Sequence, residues 1–382
     1  MRLAVYCDYS YRVRDGTVSA ELPFSLFVDA LADHFERLTV VGREDPGNEE
    51  FPYRVRAAEF APLPFYRSGA DLAAVLATVP AAARRFWQVL DDSDVVWVLG
   101  PNPPHALLLA LLGVLRRRRV ALGVRQNLPE LIRHRRPGRR AVLWTAWVLE
   151  AAFRLLARRL PVVVVGPDLA RRYRSARALL SVYVSLLRAT DLVSAEDARR
   201  DYDGDELRML SVGRLDPEKN PVLLADVLSR ALEADPRWRL IVCGEGSLQD
   251  DLLRRAAELN VADRLELRGY VPIDGGLWSL YRDAHALIHV SHTEGVPQVI
   301  LEAFAARLPV VGTDVGGVAD LVAHRGLLIA PDDPDAAGAA LNRLAHEPEL
   351  RDRLVAAAAR AASDHTLDAE AARVAGFLSM NS

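Results

Sequence analysis

Four side chains in the second half of this 382-residue chain have types and spacings suited to a phosphorylated, hydroxyl-rich ligand. Two of them, Glu294 and Glu302, stand with seven residues between them. The stretch that carries them passes from the apolar run Ala286, Leu287, Ile288 through Gly295 and Pro297 into a helical pattern. The run reads as a short buried parallel strand. Gly295 and Pro297 break it, and Pro297 is placed as a first helical residue, where its missing N–H is not needed. The loop and helix start then face whatever lies beyond the strand's carboxyl end. Free N–H groups and the helix dipole make that corner attractive to an anion. Carboxylates beside it accept hydroxyl hydrogen bonds, so the corner suits a sugar nucleotide. The plain alternative is a loop glutamate and a solvated helix glutamate that share only a spacing.

Arg214 and Lys219 are the other two. A strand over residues 207–212 ends at Gly213, and the turn after it presents both cations before a helix bearing Leu223, Leu224, Val227 and Leu228. Arginine offers a planar fork and lysine a point charge, a pair fitted to a diphosphate. Of the 48 basic residues 47 are Arg, and the single Lys is Lys219. A chain that otherwise writes positive charge as arginine has its one compact ammonium here; chance is the competing account.

Five short elements follow one another in the second half: V-G-R-L-x-x-E-K at 212–219, G-E-G at 244–246, R-G-Y-V at 268–271, E-x7-E at Glu294 and Glu302, and P-V-V-G-T-D-V-G-G at 309–317. In this order they resemble the retaining glycosyltransferases of family four, the glycosyl transferases group 1. The resemblance implies an α/β fold of two Rossmann-like domains facing across a cleft, the GT-B fold. It implies that Arg214 and Lys219 neutralise a leaving diphosphate, that Glu294 binds donor-sugar hydroxyls and orients the anomeric carbon, and that Glu302 holds the ribose. Gly213, Gly244, Gly295, Val296 and Pro297 would line the donor, and the backbone of Gly269, Tyr270 and Val271 would meet its base. The implied pathway is front-face attack, in which the leaving phosphate helps deprotonate the acceptor; no obvious acid–base pair competes with it. No cofactor and no metal are expected. A D-x-D triplet occurs at Asp203, Gly204 and Asp205, but it falls in a hinge and not after a buried strand. Two other readings stay open: a GT-B nucleotide-sugar 2-epimerase-like enzyme, which needs no acceptor, and a non-catalytic sugar-nucleotide binding protein.

The elements that must position these residues are legible as alternating strand and helix patterns. The expected division is a first domain over 1–187, a hinge over 188–206, a second domain over 207–365 and a tail helix over 366–382 that, by the resemblance, crosses back to the first domain. The chain opens with a buried strand, a loop containing Gly16, and a helix expected from about residue 20 to 35. Gly16 is either the point of approach to donor phosphates or a plain turn glycine. A dinucleotide-binding dehydrogenase would need G-x-G-x-x-G there, and the pattern is absent. Carboxyl-end loops of α/β sheets line ligand crevices, which draws attention to His105 after the strand at 94–99. His105 touches acceptor or donor, or else caps a helix or faces solvent. After the strand at 120–124 come Gln126 and Asn127, where relatives place a histidine near the sugar; polar side chains here would reach the donor sugar. Ser247 and Asp250 are spaced as a capping box for the helix that follows G-E-G.

Composition agrees with a soluble globular enzyme, at 51% hydrophobic and 26% charged residues. The longest apolar run, residues 106–115, is too short to span a bilayer, and the first residues lead into a strand without a signal-peptide pattern. Cys7 and Cys243 fall in strands of different domains, so neither a disulfide framework nor a thiolate metal site is expected, and the cytoplasm is the natural compartment. Charge is divided. Residues 1–190 carry 28 Arg against 18 acidic residues, and residues 101–190 alone carry 18 Arg against three. Arg116, Arg117, Arg118 and Arg119 form one cluster; Arg133, His134, Arg135, Arg136, Arg139 and Arg140 form another, abutting a helix with Trp144 and Trp147. That composition fits a peripheral anchor on an anionic membrane, a patch guiding an anionic acceptor, or a core helix with solvated arginines. Nucleic acid is not expected, since no stacking platform accompanies the charge.

Overall fold

The computed structural model describes all residues except 57, 70, 102, 136–138 and 382. Arg136, in the second basic cluster, thus lies outside the described residues. The chain divides into two compact units, Met1–Leu186 with Leu367–Ser382, and Leu187–Thr366.

The first unit runs β1 (Arg2–Arg14), β2 (Thr17–Ala20), α1 (Phe24–Ala30), β3 (Arg37–Glu44), β4 (Tyr53–Val55), β5 (Glu59–Leu63), α2 (Leu72–Asp91), β6 (Val95–Gly100), α3 (Pro104–Leu115), β7 (Arg119–Val124), α4 (Leu128–Arg135), α5 (Arg140–Ala157), β8 (Pro161–Val165), α6 (Pro167–Arg172) and β9 (Ala178–Val182). Its strands form one sheet. Parallel pairing gives the order β5-β3-β1-β6-β7-β8-β9; β2 adds antiparallel to the far half of β1, and β4 antiparallel to β2. Val95, Val96, Trp97, Val98 and Leu99 are all buried, the continuous apolar run that a strand covered on both faces requires.

The helix expected at about 20–35 does not form as such. The first strand continues to Arg14, turns at Asp15 and Gly16, and pairs back from Arg14↔Thr17 to Tyr11↔Ala20. Tyr9 and Tyr11 are buried while Arg12 and Arg14 are not, and Asp-Gly is a strong hairpin signal. Only Phe24–Ala30 is α-helical, followed by a single 3-10 turn, Leu31–His34.

The second unit runs β10 (Leu207–Val212), α7 (Leu223–Ala234), β11 (Trp238–Cys243), α8 (Gln249–Glu258), β12 (Leu265–Leu267), α9 (Leu277–Asp283), β13 (Ala286–His289), α10 (Gln298–Ala305), β14 (Val310–Thr313), α11 (Gly316–Val322), β15 (Leu327–Ile329), α12 (Pro334–His346) and α13 (Pro348–Asp364). Six parallel strands lie in the order β12-β11-β10-β13-β14-β15. This is the doubly wound Rossmann arrangement, whose order reverses between β10 and β13, and such sheets bind ligands at the carboxyl ends beside that reversal. The last helix, α14 (Leu367–Asn381), belongs to the first unit. It buries Val374, Phe377 and Leu378 in the core formed around Leu3, Val5 and Phe27, each worth roughly 1.5–3 kcal/mol as an upper estimate.

Residues 188–206, the expected hinge, group with the second unit. Arg200 donates to the carbonyls of Ala284 (2.5 Å), Tyr281 (3.1 Å), Ala306 (2.8 Å) and Arg307 (2.9 Å), so one cation serves the carboxyl ends of both α9 and α10. The turn holding the D-x-D triplet is tied by Arg237, which donates to the carbonyl of Gly204 at 3.0 Å. No capping box forms at Ser247: its hydroxyl turns to Asp216 at 3.4 Å, and Leu248 holds the N-cap position of α8 without a side-chain bond.

Candidate functional site

The loops after β10 and β13 flank the order reversal of the second sheet and touch. The His292 N–H donates to the Glu218 carbonyl at 3.0 Å. His292 and Asn220 both reach Asp332 at 2.8 Å, joining a third loop. Across this junction Lys219 forms an ion pair with Glu294, although 75 positions separate them in sequence. Side-chain exposure is 23% at Lys219 and 9% at Glu294, so the pair is largely withdrawn from water.

Glu294 has two more partners that carry no role in the sequence reading. Ser291 Oγ donates to its Oε1 at 2.9 Å, and His289 Nε2 lies 3.0 Å from the same oxygen. Both come from the carboxyl end of β13, and the Ser291 carbonyl is fixed by the buried Thr313 hydroxyl at 2.7 Å. Burial pushes the Glu294 carboxyl up, but the His289 hydrogen bond and the Lys219 charge outweigh it and hold the group at about 2. The sequence signal for His289 was a polar residue ending a buried parallel strand, next to the reversal point.

Glu302 sits one turn into α10, where Tyr281 of α9 donates to its Oε2 at 2.7 Å. Burial raises its pKa, partly offset by Tyr281. Pro297 is the N-cap of α10, not its first helical residue, and no side chain caps that end. Arg214 is not brought to Lys219 here. It is exposed and paired with Asp216 and Glu218 of its own turn.

Glycines let the carboxyl-end loops close together. A Cβ at Gly244 would collide with the Gly213 carbonyl, and Gly244 has φ +145. Likewise a Cβ at Gly317 would collide with the Gly295 carbonyl, directly beside Glu294. The Gly244 N–H donates to the Gly269 carbonyl at 2.7 Å; beyond it Tyr270 is exposed and Val271 half-buried. Gly295 is exposed and Val296 half-buried at the mouth of the same loop.

In the first unit the sequence-selected residues fare differently. Gly16 occupies the hairpin turn with φ +76 and nothing near its Cα face, the turn-glycine geometry. His105 neither caps a helix through its side chain nor faces solvent. It is buried, its Nε2 lies 3.1 Å from Thr78 Oγ1, and its ring stacks on Tyr66 at 5.6 Å. Burial and the nearby Arg43 lower its pKa. Arg43 pairs with Asp8 at 3.1 Å, and Tyr66 donates to the same carboxylate. Gln126 is exposed, and Asn127 donates to Glu130 at 2.7 Å.

The first unit also carries an unusual surface. The inward face of α5 buries Ala146, Leu149, Glu150, Phe153 and Ala157, yet Trp144, Trp147, Val148 and Leu155 on the opposite face are exposed, Trp144 by 70%. Leu111, Val114 and Leu115 of α3 are exposed too, Leu115 by 72%. Arg140 and Arg154 on α5, Arg158 and Arg159 just after it, and Arg117 and Arg119 just after α3 are exposed too. Glu150, the one acidic residue of α5, is buried. Among the described residues no helix is long and apolar enough to cross a membrane.

Residues 194–361 match the family model described as glycosyl transferases group 1. A D-inositol 3-phosphate glycosyltransferase of Frankia alni is 40% identical over 169 residues, 41% of this chain and 41% of that protein. A phosphatidyl-myo-inositol mannosyltransferase of Mycolicibacterium smegmatis is 27% identical across 94% of this chain and 88% of its own. The chain spans less than half the length of the first curated relatives it matches, 41–49%. Among solved structures, Anabaena HepE in complex with UDP superposes with a TM-score of 0.72 at 18% identity, covering 99% of this chain and 100% of that one. The chain therefore has the GT-B fold of two Rossmann-like α/β units, and its residues 194–361 match the model of the glycosyl transferases group 1 family.

Proposed function

We propose that this protein is a retaining glycosyltransferase that moves a sugar from a nucleotide-diphosphate sugar to an acceptor hydroxyl by front-face attack. The observation that carries the reading is the contact of Lys219 with Glu294 at the order reversal of the second sheet, beside the uncapped end of α10. The family match over that same unit supports it, as do the names of the relatives and the UDP and UDP-glucose held by the Anabaena neighbours. In this reading Lys219 turns from Glu294 to the diphosphate, whose charge grows as the bond to the anomeric carbon breaks. Arg214 exchanges Asp216 and Glu218 for the same phosphates. The acceptor oxygen bonds to the anomeric carbon on the face the phosphate leaves, and the acceptor proton passes to a phosphate oxygen. Glu294 accepts donor-sugar hydroxyls, and Glu302 the ribose hydroxyls, while the backbone of Gly269, Tyr270 and Val271 meets the base. Charge neutralisation by Arg214, Lys219 and the helix end makes a metal dispensable.

The acceptor is a glycolipid, polysaccharide or small glycoside, and inositol-bearing acceptors are the first to try. The exposed apolar and basic face of α3 and α5 serves as a peripheral contact with an anionic membrane at the cytoplasmic side, through Arg116–Arg119 and the residues around Arg139 and Arg140. The function is tested by incubating the protein with UDP-, GDP- and ADP-sugars and following nucleotide release with and without acceptors, in the presence and absence of EDTA. Acceptor-dependent release that survives EDTA is expected. Release without any acceptor would favour an epimerase-like enzyme, and binding without release a non-catalytic protein.

A further inference from the structure

Three donors converge on one oxygen of Glu294. Lys219 Nζ, Ser291 Oγ at 2.9 Å and His289 Nε2 at 3.0 Å all meet Oε1. A serine hydroxyl has one proton to give, and here it goes to the carboxylate. His289 Nε2 also lies 3.2 Å from Ser291 Oγ. Both neighbours of Nε2 are thus acceptors toward it, so Nε2 carries a hydrogen. Among the described residues no donor is assigned to Oε2. The carboxylate is therefore one-sided: one oxygen is held from within the protein, and the other is left to accept from a ligand.

We propose that His289 is a positioning residue that, with Ser291, keeps Glu294 ionised and turned toward the sugar hydroxyls once Lys219 has moved to the diphosphate. This rests on the donor reading above. Lys219 cannot serve both anions fully at once, because a bound diphosphate competes for its compact charge. When it turns away, a carboxylate without other donors would rotate or take up a proton. His289 and Ser291 stay: His289 ends β13, whose position is set by the β10 and β14 pairings, and Ser291, two residues on, has its carbonyl held by the buried Thr313 hydroxyl. His289 itself is buried, 6% exposed, and its Nε2 is already turned to Glu294 Oε1 and Ser291 Oγ, so it acts on the sugar through Glu294.

The test separates sugar recognition from nucleotide recognition. Binding of UDP-glucose and GDP-mannose, with UDP and GDP as sugar-free controls, is measured by calorimetry for the full chain and for His289→Leu and His289→Gln. Losing one buried charge-assisted hydrogen bond should weaken the sugar nucleotide by about tenfold in His289→Leu, and leave the bare diphosphate within about twofold. Glutamine places an amide N–H near the same point, so His289→Gln should recover most of the loss. Unchanged sugar-nucleotide affinity in His289→Leu overturns the proposal. So does equal loss of nucleotide and sugar nucleotide in both variants, which is the mark of a merely structural histidine. Wild-type protein that binds none of the four probes overturns the donor reading itself, and this assignment with it.

Discussion

A carboxylate in water accepts hydrogen bonds that it can exchange at no cost, whereas Glu294 is withdrawn from water and tied to fixed partners. Its folded value of about 2 lies below its ordinary 4.5, so folding favours the ionised form. The stabilisation is fully present above about pH 4.5 and is lost as pH falls through 2. Glu294→Gln should therefore be less stable than wild type at pH 7 by on the order of 3 kcal/mol. In urea titrations that gap should close as the pH is lowered toward 2; a gap that does not change with pH would contradict the pairing. Lys219 gives a kinetic counterpart. In the proposed transfer its charge is needed most as the diphosphate leaves, so Lys219→Ala should lower turnover by about a hundredfold, about 3 kcal/mol. Lys219→Arg keeps the charge but not the compact geometry that meets one oxygen beside Ser291 and His289. Steady-state kinetics should show a clear loss of turnover there too, with an unchanged unfolding midpoint.

At the scale of elements, the two helices that carry Tyr281 and Glu302 end on the same guanidinium. Arg200 meets four carbonyls of those ends, groups that a helix leaves without internal partners. Arg200→Ala would strand several of them in a half-buried setting, at roughly 1–3 kcal/mol of lost stability for the first and less for those that water can reach. The measured outcome should be a lower urea midpoint together with weaker donor binding, because α10 positions Glu302. A variant with wild-type stability would show that water replaces the guanidinium without loss. Hairpin β1–β2 teaches the opposite lesson: its Gly16 satisfies a turn, and the apparent strand–loop–helix unit is two paired strands.

Across the whole molecule, the excess of positive charge and most of the exposed large apolar side chains lie on the first unit, while Lys219, Glu294 and Glu302, the residues proposed to hold the donor, lie in the second. An exposed stripe of two tryptophans and several aliphatic residues, rimmed by arginine, gains by entering a bilayer interface and by meeting anionic headgroups. The protein should pellet with anionic liposomes at low salt and release at high salt, where surface charge is screened. Replacing Trp144 and Trp147 together by serine should weaken that binding several-fold, about 1 kcal/mol or more, by loss of apolar area alone. Equal recovery in the supernatant with neutral and anionic vesicles would dispose of the idea.

The amino-acid sequence by itself determined the alternating strands and helices of the second unit, because short apolar runs such as residues 240–243 and 286–288, set between helical patterns, mark strands buried on both faces. It also singled out Lys219 and Glu294, since chemical type and place beside a strand end are local properties. Tertiary structure alone decided that these two meet on one oxygen, and that His289 and Ser291 hold the same oxygen. Contacts across 75 positions follow from the pairing of β10 with β13, which no local pattern records. His105 illustrates the same limit: a histidine after a strand can face a crevice or the core, and only its neighbours Thr78 and Tyr66 show which. The arginines and tryptophans of α5 were plain in the sequence as well. Periodicity marks which faces of a helix are apolar, and α5 is apolar on two; only packing shows that the sheet covers one and leaves the other to solvent.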